Sequence, residues 1–334
     1  MTYISSSEYL DIKKFAVRFL LIGGLIFCID KGLAYWSTQA AMNDLSIPES
    51  PVHLYRGDTN AEIVFFGNSK THVNFDAAAL SAAVGSKAWN FAIDGTNIEM
   101  ARFLFEEYLL HNPVPKIAII QADYGLISKN LPGAFRSYLV SPFTNISPHT
   151  AAYFNPGYRD KLAFFFFRCK SLPNGEGIGA IGRSMINYAL GRCASAAPGD
   201  STNGSLFSPP HIDIEAMKKC WDDVPHKAIQ LNTDKVAEYR RIAETAKQHG
   251  VRLIFYGPPQ YGKMNPEITS EVDRLFGQLA SEYENAAYWN FRELPELWQH
   301  PEWWKDDVHL NKDGAEVLTR KFIEQLKKIP EQVL

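Results

Sequence analysis

Five short apolar runs, separated by helical segments, constrain this chain more than any other feature. They lie at 62–67, 87–93, 116–121, 252–256 and 286–291. Ile63-Val64-Phe65-Phe66, Ile117-Ala118-Ile119-Ile120 and Leu253-Ile254-Phe255-Tyr256 are apolar at every position, not at alternate ones. A strand of that kind needs cover on both faces. The intervening spacing predicts helices over 76–84, with Asp76 as cap, over 97–111, over 234–249 closed by Gly250, over 266–284, and from Asn311 to Lys328. Strands alternating with helices argue for an α/β fold with a parallel sheet covered on both faces. Right-handed crossovers then favour a flavodoxin-like three-layer sandwich with five strands in the order 2-1-3-4-5. In that order the carboxyl end of the first strand is the switch point where ligands collect, and Ser69 lies two residues beyond it.

Residues 125–233 interrupt the alternation. The segment is aromatic and irregular, too long for a plain loop, and reads as an insertion after the third strand. It contains Phe164-Phe165-Phe166-Phe167, expected in a helix over 159–170 and read as core packing.

The N-terminus has a different character. Lys13, Lys14 and Arg18 precede an uncharged run from Phe19 to Ile29, and a second apolar patch covers 32–36. Residues 15–36 number 22, against the roughly 20 needed to cross a bilayer. They are expected to form a transmembrane anchor, interrupted by Asp30 and Lys31. Flanking basic residues place 1–14 in the cytoplasm and the main domain in a periplasm or outside the cell. Residues 37–60, polar and holding Pro48 and Pro51, read as a linker to a domain over 61–330. Cys28 falls in the anchor, leaving Cys169, Cys193 and Cys220, enough for one disulfide and a free thiol or for three reduced cysteines. A net charge of −3 and the lack of a basic stripe give no case for nucleic acid. No Cys/His cluster argues for a metal, and no cofactor is expected.

Two motifs about 240 residues apart carry the chemistry. Gly67-Asn68-Ser69 follows the first strand, where a serine beside a helix N-terminus meets free N–H groups. Asp306-Asp307-Val308-His309 precedes the last helix, and Asp306 can fix the His309 tautomer while the other ring nitrogen serves Ser69. Each motif is also compatible with ordinary turn chemistry; the pairing raises both. His72 is a less favoured alternative base, read as a surface or outer residue, and Asp94 reads as a turn former. Trp303-Trp304 offers an apolar wall or a sugar-stacking platform, with packing as the default.

These blocks resemble the SGNH (GDSL-like) hydrolase superfamily. Gly67-Asn68-Ser69 is similar to its first block, Asn90-Phe91-Ala92-Ile93-Asp94-Gly95 to its second, and Asp306-x-x-His309-Leu310-Asn311 to its last. The resemblance implies Ser69 as nucleophile, His309 as general base, Asp306 as its orienting carboxylate, and Ser69 and Gly95 N–H groups as oxyanion hole. The third block departs from the pattern, with Gln121-Ala122-Asp123-Tyr124 where the family places an Asn donor. An ionised Asp123 would repel an oxyanion, so Gln121 or Asn97 are candidate replacements. The likeness covers about 62–130 and 250–328. A tethered chain with this altered block also resembles SGNH-like proteins of surface-polysaccharide O-acetylation. That implies an acyltransferase or esterase acting on acetyl-type esters of an exported polysaccharide, beside a multi-spanning membrane O-acyltransferase. The rival readings are a silent scaffold that binds polymer or acyltransferase, and a tethered lipase or esterase.

Overall fold

Alternate residues of the first strand look to opposite helical layers, and this organises the sheet. The computed structural model describes residues 6–45, 51–127, 136–154, 175–193, 202–207, 231–261 and 266–329. Strands β1 (Ile63–Phe66), β2 (Ala88–Asn90), β3 (Ile117–Gln121), β4 (Arg252–Gly257) and β5 (Ala286–Asn290) form one sheet, ordered β2-β1-β3-β4-β5. Every pairing is parallel, with Ile63 opposite both Ala88 and Ile117, and Ile117 opposite Arg252. The α/β class and strand order are those the sequence predicts.

Phe65 packs on one face, its ring centroid 4.7 Å from Phe75 and 6.0 Å from Phe322 of the helix Lys312–Leu326. The helix Ala77–Val84 shares that face through Leu80. Phe66 points the other way, 5.7 Å from Phe105 in the helix Ile98–His111. Farther along that second face, Tyr239 of the helix Thr233–Gln248 meets Phe276 of the helix Pro266–Glu282 at 4.8 Å. Continuous apolar strands thus find cover on both sides, which sets the three-layer architecture. The helix starts follow the capping rules: Asp76 accepts from the Ala79 N–H, Asn97 from Met100, and Asn311 from Asp313 and Gly314.

The chain divides into two units, one joining 1–44 with 140–195 and the other holding 45–139 with 196–334. The sheet lies wholly in the second. The first is built on a 38-residue helix, Ser6–Asn43, with Asn145 Nδ2 donating to Thr38 Oγ1 at 3.0 Å and Asn187 Nδ2 to Asp44 Oδ2 at 3.1 Å.

Among the described residues no helix is long and apolar enough to cross a membrane, so the span expected over 15–36 does not emerge as one. The uncharged run Phe19–Ile29 has 11 residues, about 16 Å of helix against about 30 Å of hydrocarbon. Directly after it a buried Asp30 carboxylate meets Lys31 Nζ at 3.4 Å. The linker expected over 37–60 also needs correction. Residues 37–43 continue the helix, and Val52–Arg56 forms a short helix burying Val52, Leu54 and Tyr55. Apolar side chains among the polar residues give that segment core contacts that its prolines obscured. Cys28 and Cys193 carry free thiols. Cys169, Cys220 and the Phe164–Phe167 run lie outside the described residues.

Candidate active site

The site assembles from three loops at the carboxyl edge of the sheet. The first leaves β1. Gly67 sits where a Cβ would lie 2.5 Å from Thr71 Oγ1, 2.7 Å from Gln121 Oε1 and 2.8 Å from Gln121 Cβ, so only glycine fits between the turn and β3. Asn68 then caps the four-residue helix Ser69–His72, its side chain accepting from the Lys70 N–H at 3.1 Å. An Asn does this as well as an Asp. From below, Gln121 Oε1 accepts from the Asn68 N–H at 3.0 Å and from the Thr71 hydroxyl at 2.9 Å.

The second loop follows β2. The Phe91 N–H donates to Phe65 O and the Ile93 N–H to Gly67 O, continuing the strand pairing past the sheet. Thr96 Oγ1 donates to Gly67 O and Ile93 O, at 3.1 and 2.7 Å. These bonds hang Gly95, with φ of 67°, on the turn that carries Ser69. Among the described residues neither the Ser69 nor the Gly95 N–H donates to another group.

The third loop precedes the last helix. A two-residue antiparallel bridge, Trp304 with Leu310, pinches off residues 305–309, and the Lys305 N–H donates to His309 O at 2.8 Å. The Leu310 N–H donates to buried Asn74 Oδ1 at 3.0 Å, and the Tyr261 N–H to Asp307 O at 2.9 Å. Gly314 completes the anchorage, since a Cβ there would sit 2.4 Å from Trp303 O.

These loops bring Ser69, His309 and Asp306 together. His309 Nε2 lies 2.7 Å from Ser69 Oγ, and Nδ1 lies 2.8 and 2.9 Å from the two Asp306 oxygens. A carboxylate only accepts, so Nδ1 carries the proton and Nε2 accepts from the Ser69 hydroxyl. Asp306 Oδ1 also accepts from the Val308 and His309 N–H groups, at 3.0 and 2.8 Å. Burial pushes the Asp306 carboxyl up, but the His309 ring and these N–H groups pull it further down, below its ordinary value. Asp306 therefore stays ionised and holds one tautomer.

Gln121 is fully buried beneath the turn, and Asn97 spends its side-chain oxygen on the Met100 N–H at 3.0 Å. Two further pairs flank the site, neither apparent from spacing. His72, expected near the surface, is 2% exposed and bonds Asp94 Oδ1 through Nδ1 at 2.9 Å. Burial raises the Asp94 carboxyl, yet His72, Arg136 and His309 together leave it lowered. Lys70 Nζ lies 2.6 Å from Asp123 Oδ2, and although burial raises Asp123, Lys70 and Arg292 bring it below the usual range. Trp304 is fully buried, donating to Leu297 O at 3.0 Å, while Trp303 stacks on His300 with centroids 3.9 Å apart. Among the described residues no group of three or more His, Cys, Asp or Glu side chains could hold a metal.

No family model matches the chain, and no curated protein matches it. Among solved structures, it is similar to a Streptococcus pneumoniae protein whose name links it to platelet activating factor. The TM-score is 0.39 at 9% identity, over 93% of this chain and 99% of that one. A likeness that distant carries no argument, and the geometry stands alone.

Proposed function

We propose that this protein is a serine acyl-transfer enzyme of SGNH type, cleaving carboxylic esters through Ser69. One observation carries the reading: a single imidazole bridges the Ser69 hydroxyl and the Asp306 carboxylate at hydrogen-bond distance on both sides. A serine at a plain turn has no need of such a partner 240 residues away.

In the proposed reaction Ser69 Oγ forms a bond to the ester carbonyl carbon as its proton passes to His309 Nε2. The carbonyl π pair moves onto oxygen, where the Ser69 and Gly95 N–H groups receive it. As the C=O bond re-forms, the C–O bond to the leaving alkoxide breaks and the alkoxide takes the proton from His309. An acyl-Ser69 ester remains. A second hydroxyl compound, activated the same way, then accepts the acyl group. Asp306 stabilises the imidazolium in both steps.

Two acceptors follow from the chemistry: water, giving an esterase, and a sugar hydroxyl, giving an acyltransferase. We extend the proposal to acetyl-type esters of polysaccharides, on the motif resemblance and on the half-buried Trp303 beside the loop that holds His309. A silent scaffold is disfavoured because the Asp306 bonds to the Val308 and His309 N–H groups shape only their own loop and leave the contact of His309 with Ser69 without a structural duty. Labelling with a fluorophosphonate, repeated on Ser69→Ala, tests the proposal. An adduct on the parent chain that vanishes in the variant is expected; an unlabelled parent chain defeats it.

A further inference from the structure

The residue after Ser69 is a lysine whose side chain is largely buried. Its side chain is 13% exposed and that of Asp123, its partner at 2.6 Å, is 5% exposed. Enclosing two charges costs several kcal/mol each, and apolar residues of similar volume often replace such a pair without loss of stability. The pair is therefore a poor device for stability alone. Asp123 also has other support: the Gly125 N–H reaches its Oδ1 at 3.4 Å, and the Arg292 charge lies nearby.

Its position points to the reaction. β1 and β3 are neighbours, with Phe66 opposite Ile120, so the residues just beyond both strands share one edge. Ser69 comes from the first and Asp123 from the second, with Lys70 reaching between. Consecutive Cα atoms are about 3.8 Å apart, which keeps the Lys70 stem beside Ser69. An ammonium has three N–H groups. Among the described residues Asp123 is the only hydrogen-bond partner of Lys70 Nζ, so two remain to offer.

Resting on the acyl-transfer reading of Ser69, we propose that Lys70 is a catalytic residue, the third donor to the ester oxygen as it becomes negative. Asp123 positions it. Lone carboxylate at that place would oppose the developing charge; the ion pair reverses the local field and adds an N–H. The arrangement supplies what an amide side chain at position 123 would otherwise supply.

The test uses the full chain, with p-nitrophenyl acetate hydrolysis, fluorophosphonate labelling of Ser69 and thermal melts. Lys70→Met should lower kcat about 100-fold, as losing one oxyanion donor does, with KM changed less than about threefold. The double variant Lys70→Met/Asp123→Asn removes the unpaired charge and restores an N–H donor, so kcat should recover at least about tenfold over Lys70→Met. A Lys70→Met chain within threefold of the parent overturns the proposal. So does a double variant that melts with the parent yet stays as slow as Lys70→Met, the behaviour of a merely structural pair. If Lys70→Met does not fold, the double variant decides: folded and within about 30-fold of the parent upholds the role, folded and slower overturns it. A parent chain whose Ser69 takes no phosphonate overturns the acyl-transfer reading and this role with it. A labelled parent with either adverse result overturns the Lys70 role alone.

Discussion

Gly67→Ala is the substitution for which the structure gives the sharpest expectation. A Cβ at 67 would stand 2.8 Å from Gln121 Cβ and 2.5 and 2.7 Å from two polar oxygens. Carbon atoms normally approach no closer than about 3.5 Å, so one partner must shift by roughly 0.7 Å. Gln121 is fully buried at the end of β3, and moving it strains its bonds to the Asn68 N–H and the Thr71 hydroxyl. Overpacking costs about 1–3 kcal/mol, and each weakened hydrogen bond about 1 kcal/mol, giving roughly 3–5 kcal/mol together. For a domain of this size that corresponds to a melting temperature lower by about 6–20 °C. The turn that carries Ser69 would move with it, and a misplacement near 1 Å costs about 100-fold in rate. Gly85→Ala is the control: its φ is 71° but nothing lies within 4 Å of its Cβ position, so about 1–2 kcal/mol is lost and the rate is unchanged. Thermal melts with acetate-ester turnover read both. A Gly67→Ala chain that melts within 2 °C of the parent at full rate would refute the packing argument for the turn that carries Ser69.

Other expectations follow from the same geometry. Asp306→Asn, which leaves the ring without its charge partner, should lower kcat by about four orders of magnitude with a folded chain; a loss under tenfold in turnover assays would remove Asp306 from the mechanism. Asp94, Asp123 and Asp306 all have lowered carboxyl pKa values. Their contributions to stability are present above the unfolded carboxylate range, near about 4, and are lost as pH falls through the lower folded values. Melting curves at pH 7 and pH 3 should show that loss, and equal midpoints would contradict it. Replacing Leu20, Leu21 and Leu25, which are 72, 68 and 61% exposed, with glutamate should leave the melting midpoint unchanged and reduce detergent binding. A drop above about 3 °C would show that these side chains are covered.

Local rules make much of the sheet legible from the sequence alone. The fully apolar runs fixed β1, β3 and β4, because such a strand has one stable environment, and Asp76, Asn97 and Asn311 marked helix starts through capping that depends only on neighbours in sequence. Ser69, Asp306 and His309 were recognisable because their motifs sit at strand and helix ends. The ion pairs were not. Lys70 and Asp123 are 53 residues apart and His72 and Asp94 are 22 apart, and nothing at either position names its partner. Gln121 was visible as a polar residue ending a strand, but its service to the turn depends on β3 lying beside β1. The N-terminal segment misled through its length: 22 residues met the count for a span, while Asp30 and Lys31 divided the apolar part.

The 240 residues between Ser69 and His309 also have a meaning in time. Synthesis proceeds at about 5–20 residues per second, so about 12–48 s separate the emergence of the serine from that of the histidine. The turn that carries Ser69 rests on β1, β2 and β3, all made early. His309 is held by Asn74 through Leu310 and by the last helix, made late. A growing chain that folds as it emerges thus carries its serine as an inert alcohol. Under the proposed mechanism, reactivity arrives only when the final segment docks, so an incomplete chain is a harmless one.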